Sequence, residues 1–264
     1  HAQIWTEGDS SVTLSPPVQS YSGTTLSLGV ANDSTGSLTI ENGGALTLSS
    51  YLYIGGTRST MGTASISGGS LTATTLHVGS YGNGAMTISG GTVSVGTLSV
   101  GRYQSTTFST GTLSVANSTL SLMALTAATY SSTSVATITV SDSTLTVKSD
   151  ITLGNLGQST TTVTNSTISA DRLFLASDAS SMGTLNLSGG SLKVWEAHIA
   201  SWGASGSMNI AGTTVTAASI IVGRRGSATG TVSMTSGSLT VTLQATIGES
   251  GSGTINIFGG TASL

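Results

Sequence analysis

Short apolar alternations recur along this chain at a near-constant interval. The stretch Gly183 to Ser205, GTLNLSGGSLKVWEAHIASWGAS, holds three of them: Leu185 and Leu187, Leu192 and Val194, Ala197 and Ile199. Alternation with period two marks a strand with one buried face. Gly189-Gly190 divides the first two strands, Ala200 closes the third, and a Ser/Gly-rich turn leads into the next copy. Three short strands cannot bury their faces alone, but stacked copies can. The pattern therefore predicts an all-β parallel β-helix, a β-solenoid with three short strands per coil and about ten coils. The preference of parallel crossovers for one hand makes it right-handed.

The residue after the third strand anchors the alignment. The series is Gly29, Gly55, Gly79, Gly101, Ala128, Gly154, Ala176, Ala200, Gly223 and Gly248, spaced 22 to 27 residues apart. That interval fits one solenoid coil and is longer than a hexapeptide coil of about 18 residues. Only Gly or Ala occurs there, which points to a tight corner. The first corner reads Gly43-Gly44, Gly68-Gly69, Gly90-Gly91, Asp142-Ser143, Asn165-Ser166, Gly189-Gly190 and Gly259-Gly260. Gly, Asn and Asp exchange there because each tolerates positive φ.

The two ends are less regular. Residues 1–33 form an irregular N-terminal coil, and 34–264 form one continuous repeat domain. Ile4 and Trp5 suit a first strand, Val12 and Leu14 a second, Leu26 and Leu28 a third. Between the last two, Pro16 to Tyr21 holds both prolines of the chain and reads as a loop, since proline cannot donate to a ladder. At the other end the second strand of the last copy closes the sequence at Leu264, with no polar cap in view. An uncovered coil is a template for another strand. Ile4 and Trp5 at one end, and Ile255, Ile257, Phe258 and Leu264 at the other, are thus candidate interface residues for head-to-tail self-association. The alternative is that downstream sequence covers the end.

Composition narrows the class. Only 6% of residues are charged, against about 25% in an average soluble domain. Scarce charge would suggest disorder only if apolar residues were also scarce, and here they make up 37% in periodic array. A stacked coil satisfies its backbone through ladders between coils, so a surface of hydroxyls suffices. The net charge of −3 is spread along the chain with no basic stripe, which excludes nucleic acid as an expected partner. No apolar run approaches the roughly 20 residues of a membrane span. Cys is absent, so no disulfide framework exists to read. The chain opens His1-Ala2-Gln3. Ala2 fits the end of a small-residue signal-peptidase site, a reading of secretion, and a cloning remnant explains the same residues.

The phrases GSLTIENGGALTL, GTASISGGSLTA and GTVSMTSGSLTV resemble repeats of bacterial autotransporter passengers and related secreted, repeat-rich surface proteins. The likeness runs from about Ser34 onward. It implies a right-handed parallel β-helix outside the cell. Adhesins, matrix components and some hydrolases share that scaffold, so fold alone does not decide activity.

Several side chains are candidate sites. Aligned on the anchors, one third-strand column reads Tyr51, Thr75, Thr97, Ala124, Asp150, Arg172, Glu196, Ser219, Gln244. Asp150, Arg172 and Glu196 then fall on consecutive coils about 4.8 Å apart, with Asp171 beside them. Either they form an acid–base cluster or an alternating-sign surface ladder, and the ladder is favoured. His77 and His198 occupy outward third-strand positions five coils apart, about 24 Å, so they share no metal. His1 could chelate copper only with a second His close by, and none is indicated. Two residues past the anchor, Tyr81, Tyr103 and Tyr130 stand on successive turns: a carbohydrate platform, or an aromatic ladder packing along a corner. An ice-binding face would want the same Thr pair on every coil. The second-strand column exchanges Thr, Ser and Lys instead: Thr47, Thr72, Ser94, Ser121, Thr146, Ser169, Lys193, Thr216, Thr240.

The expected function is an extracellular structural protein, a rigid rod acting as subunit of a surface fibre or matrix and able to adhere. No catalytic residue, metal or cofactor is assigned. The alternative is a carbohydrate-binding or polysaccharide-cleaving β-helix.

Overall fold

The computed structural model describes the backbone of residues 3–5 and all of residues 10–15, 20–30, 33–102 and 109–264. Its strands are parallel and stack coil upon coil into a β-solenoid of about ten turns. No helix occurs among the described residues, so none is long and apolar enough to cross a membrane.

Each coil has three faces. On the first, Thr35–Ile40 pairs with Met61–Ser67, then Asn83–Ser89, Thr110–Ala116 and Val135–Ser141. The second and third faces come from one run that bends, as in Ala45–Ile54, Ser70–Val78 and Thr92–Val100. The bend shows as a register shift between Leu48 and Tyr51. In Gln158–Leu175 and Met182–Ile199 the ladder continues round all three faces. The three expected strands per coil are therefore three faces, with the second and third often joined.

The inward positions are those the alternation marks. Leu38, Ile40, Leu46, Leu48, Leu52 and Ile54 are each at most 2% exposed, and the equivalent positions of later coils continue one core from Leu14 to Val241. Burial of each such side chain contributes about 1.5–3 kcal/mol. Ten coils at about 4.8 Å give a rod near 50 Å long.

The corners explain the small residues. All ten anchors, Gly29 through Gly248, have positive φ, between 52° and 73°. At Gly154 an added Cβ would also run into the backbone carbonyl of Met182, just over one coil on. Ala128, Ala176 and Ala200 hold this left-handed conformation with a side chain and are fully buried. The first corner turns through Gly43, Gly68, Gly90, Asn117, Asp142 and Asn165, again at positive φ. Its serines form a buried ladder. The N–H of Gly91 donates to Ser118 Oγ, that of Ser118 to Ser143 Oγ, and that of Ser143 to Ser166 Oγ, at 3.1–3.2 Å. Each serine hydroxyl in turn donates to the carbonyl two residues back, at 2.6–2.7 Å. Buried backbone donors that the corner leaves unpaired are satisfied this way.

The opening coil corrects the expected strand order. Ile4 pairs with Leu26 on the third face, Val12 with Leu38 on the first, and Tyr21 with Leu46 on the second. Ser20 and Tyr21 lie in the strand Ser20–Leu28, not in a loop. The alternation Tyr21, Gly23 is too weakly apolar to read as a strand until Leu46 and Leu48 are seen beside it. Pro16 and Pro17 lie outside the described residues, as do His1 and Ala2.

Candidate functional site

Among the described residues the third face carries the ring–ring contacts and two of the three ion pairs. Its register reproduces the aligned column: Tyr51 pairs with Thr75, Thr75 with Thr97, and Thr97 with Ala124. Further along, Asp150 pairs with Arg172, Arg172 with Glu196, and Glu196 with Ser219. Arg172 donates to both carboxylate oxygens of Asp150, Nε to Oδ1 and Nη2 to Oδ2, each at 2.8 Å. This hydrogen bonding and the Asp150 charge raise the Arg172 pKa above its ordinary value, with Asp171 and Glu196 adding to the effect. Arg172 also lies over the Phe174 ring, 5.5 Å from its centroid. Both partners of the pair are solvent-accessible, so it contributes about 0–1 kcal/mol. Glu196 turns the other way, its Oε1 2.8 Å from His198 Nε2, though too bent for a hydrogen bond. Asp150 and Arg172 thus form one ion pair between coils, and Glu196 stands apart from it beside His198.

Both histidines take outward third-face positions. They point away from the core, yet each is only 3% exposed. His77 stacks on Tyr53, ring centroids 5.1 Å apart, and Tyr53 stacks on Tyr51 at 5.3 Å. Arg102, one coil on, approaches His77 Nε2 with Nη1 at 3.2 Å. Guanidinium can only donate, so Nε2 accepts and the ring is neutral with its proton on Nδ1. Burial, helped by the Arg102 charge, lowers the His77 pKa to about 4. Burial is also the main cause that raises the Tyr53 pKa, with Tyr51 adding to it. His198 packs against Phe174, centroids 5.0 Å apart and the rings tilted. The alignment does contain this signal: Tyr53 and His77, then Phe174 and His198, are ladder neighbours in one outward column.

Past the anchors, Tyr81 is 41% exposed and Tyr130 47% exposed, while Tyr103 lies outside the described residues. Arg102 covers the Tyr130 ring at 5.4 Å, and Arg225 covers Trp202 at 4.7 Å. Tyr130 and Trp202 both sit at positive φ, 73° and 51°, uncommon for bulky residues.

Of the candidate interface residues, Ile257, Phe258 and Leu264 are 46%, 76% and 56% exposed. Ile255 is partly buried against the core, and the side chains of Ile4 and Trp5 lie outside the described residues. Among the described residues no three His, Asp or Glu side chains gather as a metal site. The second-face column from Thr47 to Thr240 is a single ladder interrupted by Lys193.

Comparison with protein-family models, with curated proteins and with solved structures finds no match.

Proposed function

We propose that this chain is an extracellular structural protein, a stiff, charge-poor rod that serves as subunit of a fibre or matrix. The observation that carries the reading is the uninterrupted core from Leu14 to Val241 beneath outward columns of Ser and Thr. Each coil touches only its neighbours, so such a stack supplies length and rigidity in proportion to coil number. The third-face charges serve this role as ladder contacts between coils. The likeness of GTASISGGSLTA and its equivalents to autotransporter-passenger repeats supports an external location.

Assembly head to tail is the mode this rod would use. A coil-on-coil contact is heterologous and propagates into filaments. Light scattering and electron microscopy of the purified chain across a concentration series test it. Filaments that lengthen with concentration, and that disappear on Ile255→Pro while far-UV circular dichroism is retained, are the expected result. A chain that stays monomeric at high concentration, with no fibres visible, refutes assembly.

A further inference from the structure

The chain has two lysines, and both line one groove. Lys148 and Lys193 are exposed along the corner where the second face meets the third. Trp195, 63% exposed, and Asp171 stand on the corner side of this groove. Lys148 also lines the stretch that continues along the same corner past Ser121 and Ser94 to Thr72. Thr72, Ser94, Ser121, Thr146, Ser169 and Lys193 form one ladder across six coils, so the groove runs about 24 Å along the rod.

The cations here are unused by the fold. Arg172 and Arg224 are ion-paired, Arg102 contacts His77, and Arg225 covers Trp202. Among the described residues neither lysine is in an ion pair, and Trp195 touches no other ring. The charges alternate by coil: Lys148, then Asp171, then Lys193. The lysines are two coils apart, about 10 Å along the axis.

We propose that this groove binds an extended acidic polysaccharide carrying a carboxylate on alternate sugars. The coil spacing is close to the advance of one pyranose ring in an extended chain, so each coil meets one sugar. Hydroxyl rungs match sugar hydroxyls, and Trp195 offers a flat apolar face for a ring. Lys148 and Lys193 pair with carboxylates on every second sugar, while Asp171 repels a charge on the sugar between. Like-charge juxtaposition is how such a site rejects a uniformly charged polymer. The inference is independent of whether the rod assembles.

Affinity electrophoresis of the intact chain tests it, in gels holding hyaluronan, polygalacturonate, a soluble neutral chitin oligosaccharide or oligo-dT. Hyaluronan should retard the protein most, and added salt should weaken the effect. Lys148→Gln with Lys193→Gln should lower hyaluronan affinity at least tenfold, and Trp195→Ala at least fivefold. Asp171→Asn should strengthen binding of polygalacturonate. All four positions are exposed, so far-UV circular dichroism should be unchanged. Equal or tighter binding of the neutral oligosaccharide or oligo-dT overturns the proposal. So does a double lysine variant that binds hyaluronan like the parent, or an Asp171→Asn variant indifferent to polygalacturonate.

Discussion

Thr161 is the weak point of the core. Its column of inward first-face residues reads Ala64, Met86, Leu113, Ile138, Thr161, Leu185, Met208. Thr161 is 4% exposed, and its hydroxyl has no protein hydrogen-bond partner. It borders a cavity of about 20 Å³ lined by Leu125, Ile138, Leu145, Ile168 and Leu192. Burying an unpaired hydroxyl costs about 1–3 kcal/mol. Thr161→Val keeps the shape and removes that cost, so it should stabilise the chain by about 1–2 kcal/mol. Thr161→Ile adds one methylene directed into the cavity and about 0.8 kcal/mol more. Thr161→Ser keeps the hydroxyl, deletes a buried methyl, and should lose about 1 kcal/mol. Urea unfolding followed by circular dichroism reads the series, with the midpoint rising for Val and Ile at unchanged slope. If Thr161→Val lowers the midpoint as much as Thr161→Ser does, the hydroxyl is bonded and the reasoning fails.

Three further outcomes are expected. Gly154→Ala, which places a Cβ against the Met182 carbonyl at a φ of 73°, should cost about 2–4 kcal/mol in the same assay; a loss below 0.5 kcal/mol would contradict the close packing. His77, with a folded pKa of about 4 against about 6.5 unfolded, binds fewer protons when folded. Its contribution is present above pH 6.5 and is lost as pH falls toward 4, by about 3 kcal/mol. His77→Phe should flatten that part of the stability profile relative to the parent, and an unchanged slope would show the ring is not held neutral. Replacing Asp150 and Arg172 together by Ser should shift stability by about 0–1 kcal/mol, as for an exposed pair; thermal unfolding with a loss above 2 kcal/mol would give the pair a larger role.

By itself the sequence determined the coil. The pairs Leu38/Ile40, Leu46/Leu48 and Leu52/Ile54 specify inward faces because a strand alternates strictly, and a one-residue slip would expose all of them. Gly or Ala at the anchors specified the corner because few residues hold positive φ beside another backbone. With both features in place, the column Asp150, Arg172, Glu196 could be aligned before any coordinates. What lies over the outside of a strand was not legible. His77 and His198 sit at outward positions, but ring contacts with Tyr53 and Phe174 accompany their burial, and only side-chain rotamers decide that. The groove of Lys148 and Lys193 was hidden for a related reason. Coils vary from 22 to 27 residues, and the corner after Val147 holds two residues where the corner after Val194 holds one. Such insertions leave the core register intact while moving surface side chains sideways. Tertiary structure alone therefore decided that the two lysines converge, because ladder hydrogen bonds constrain the faces and leave the corners free.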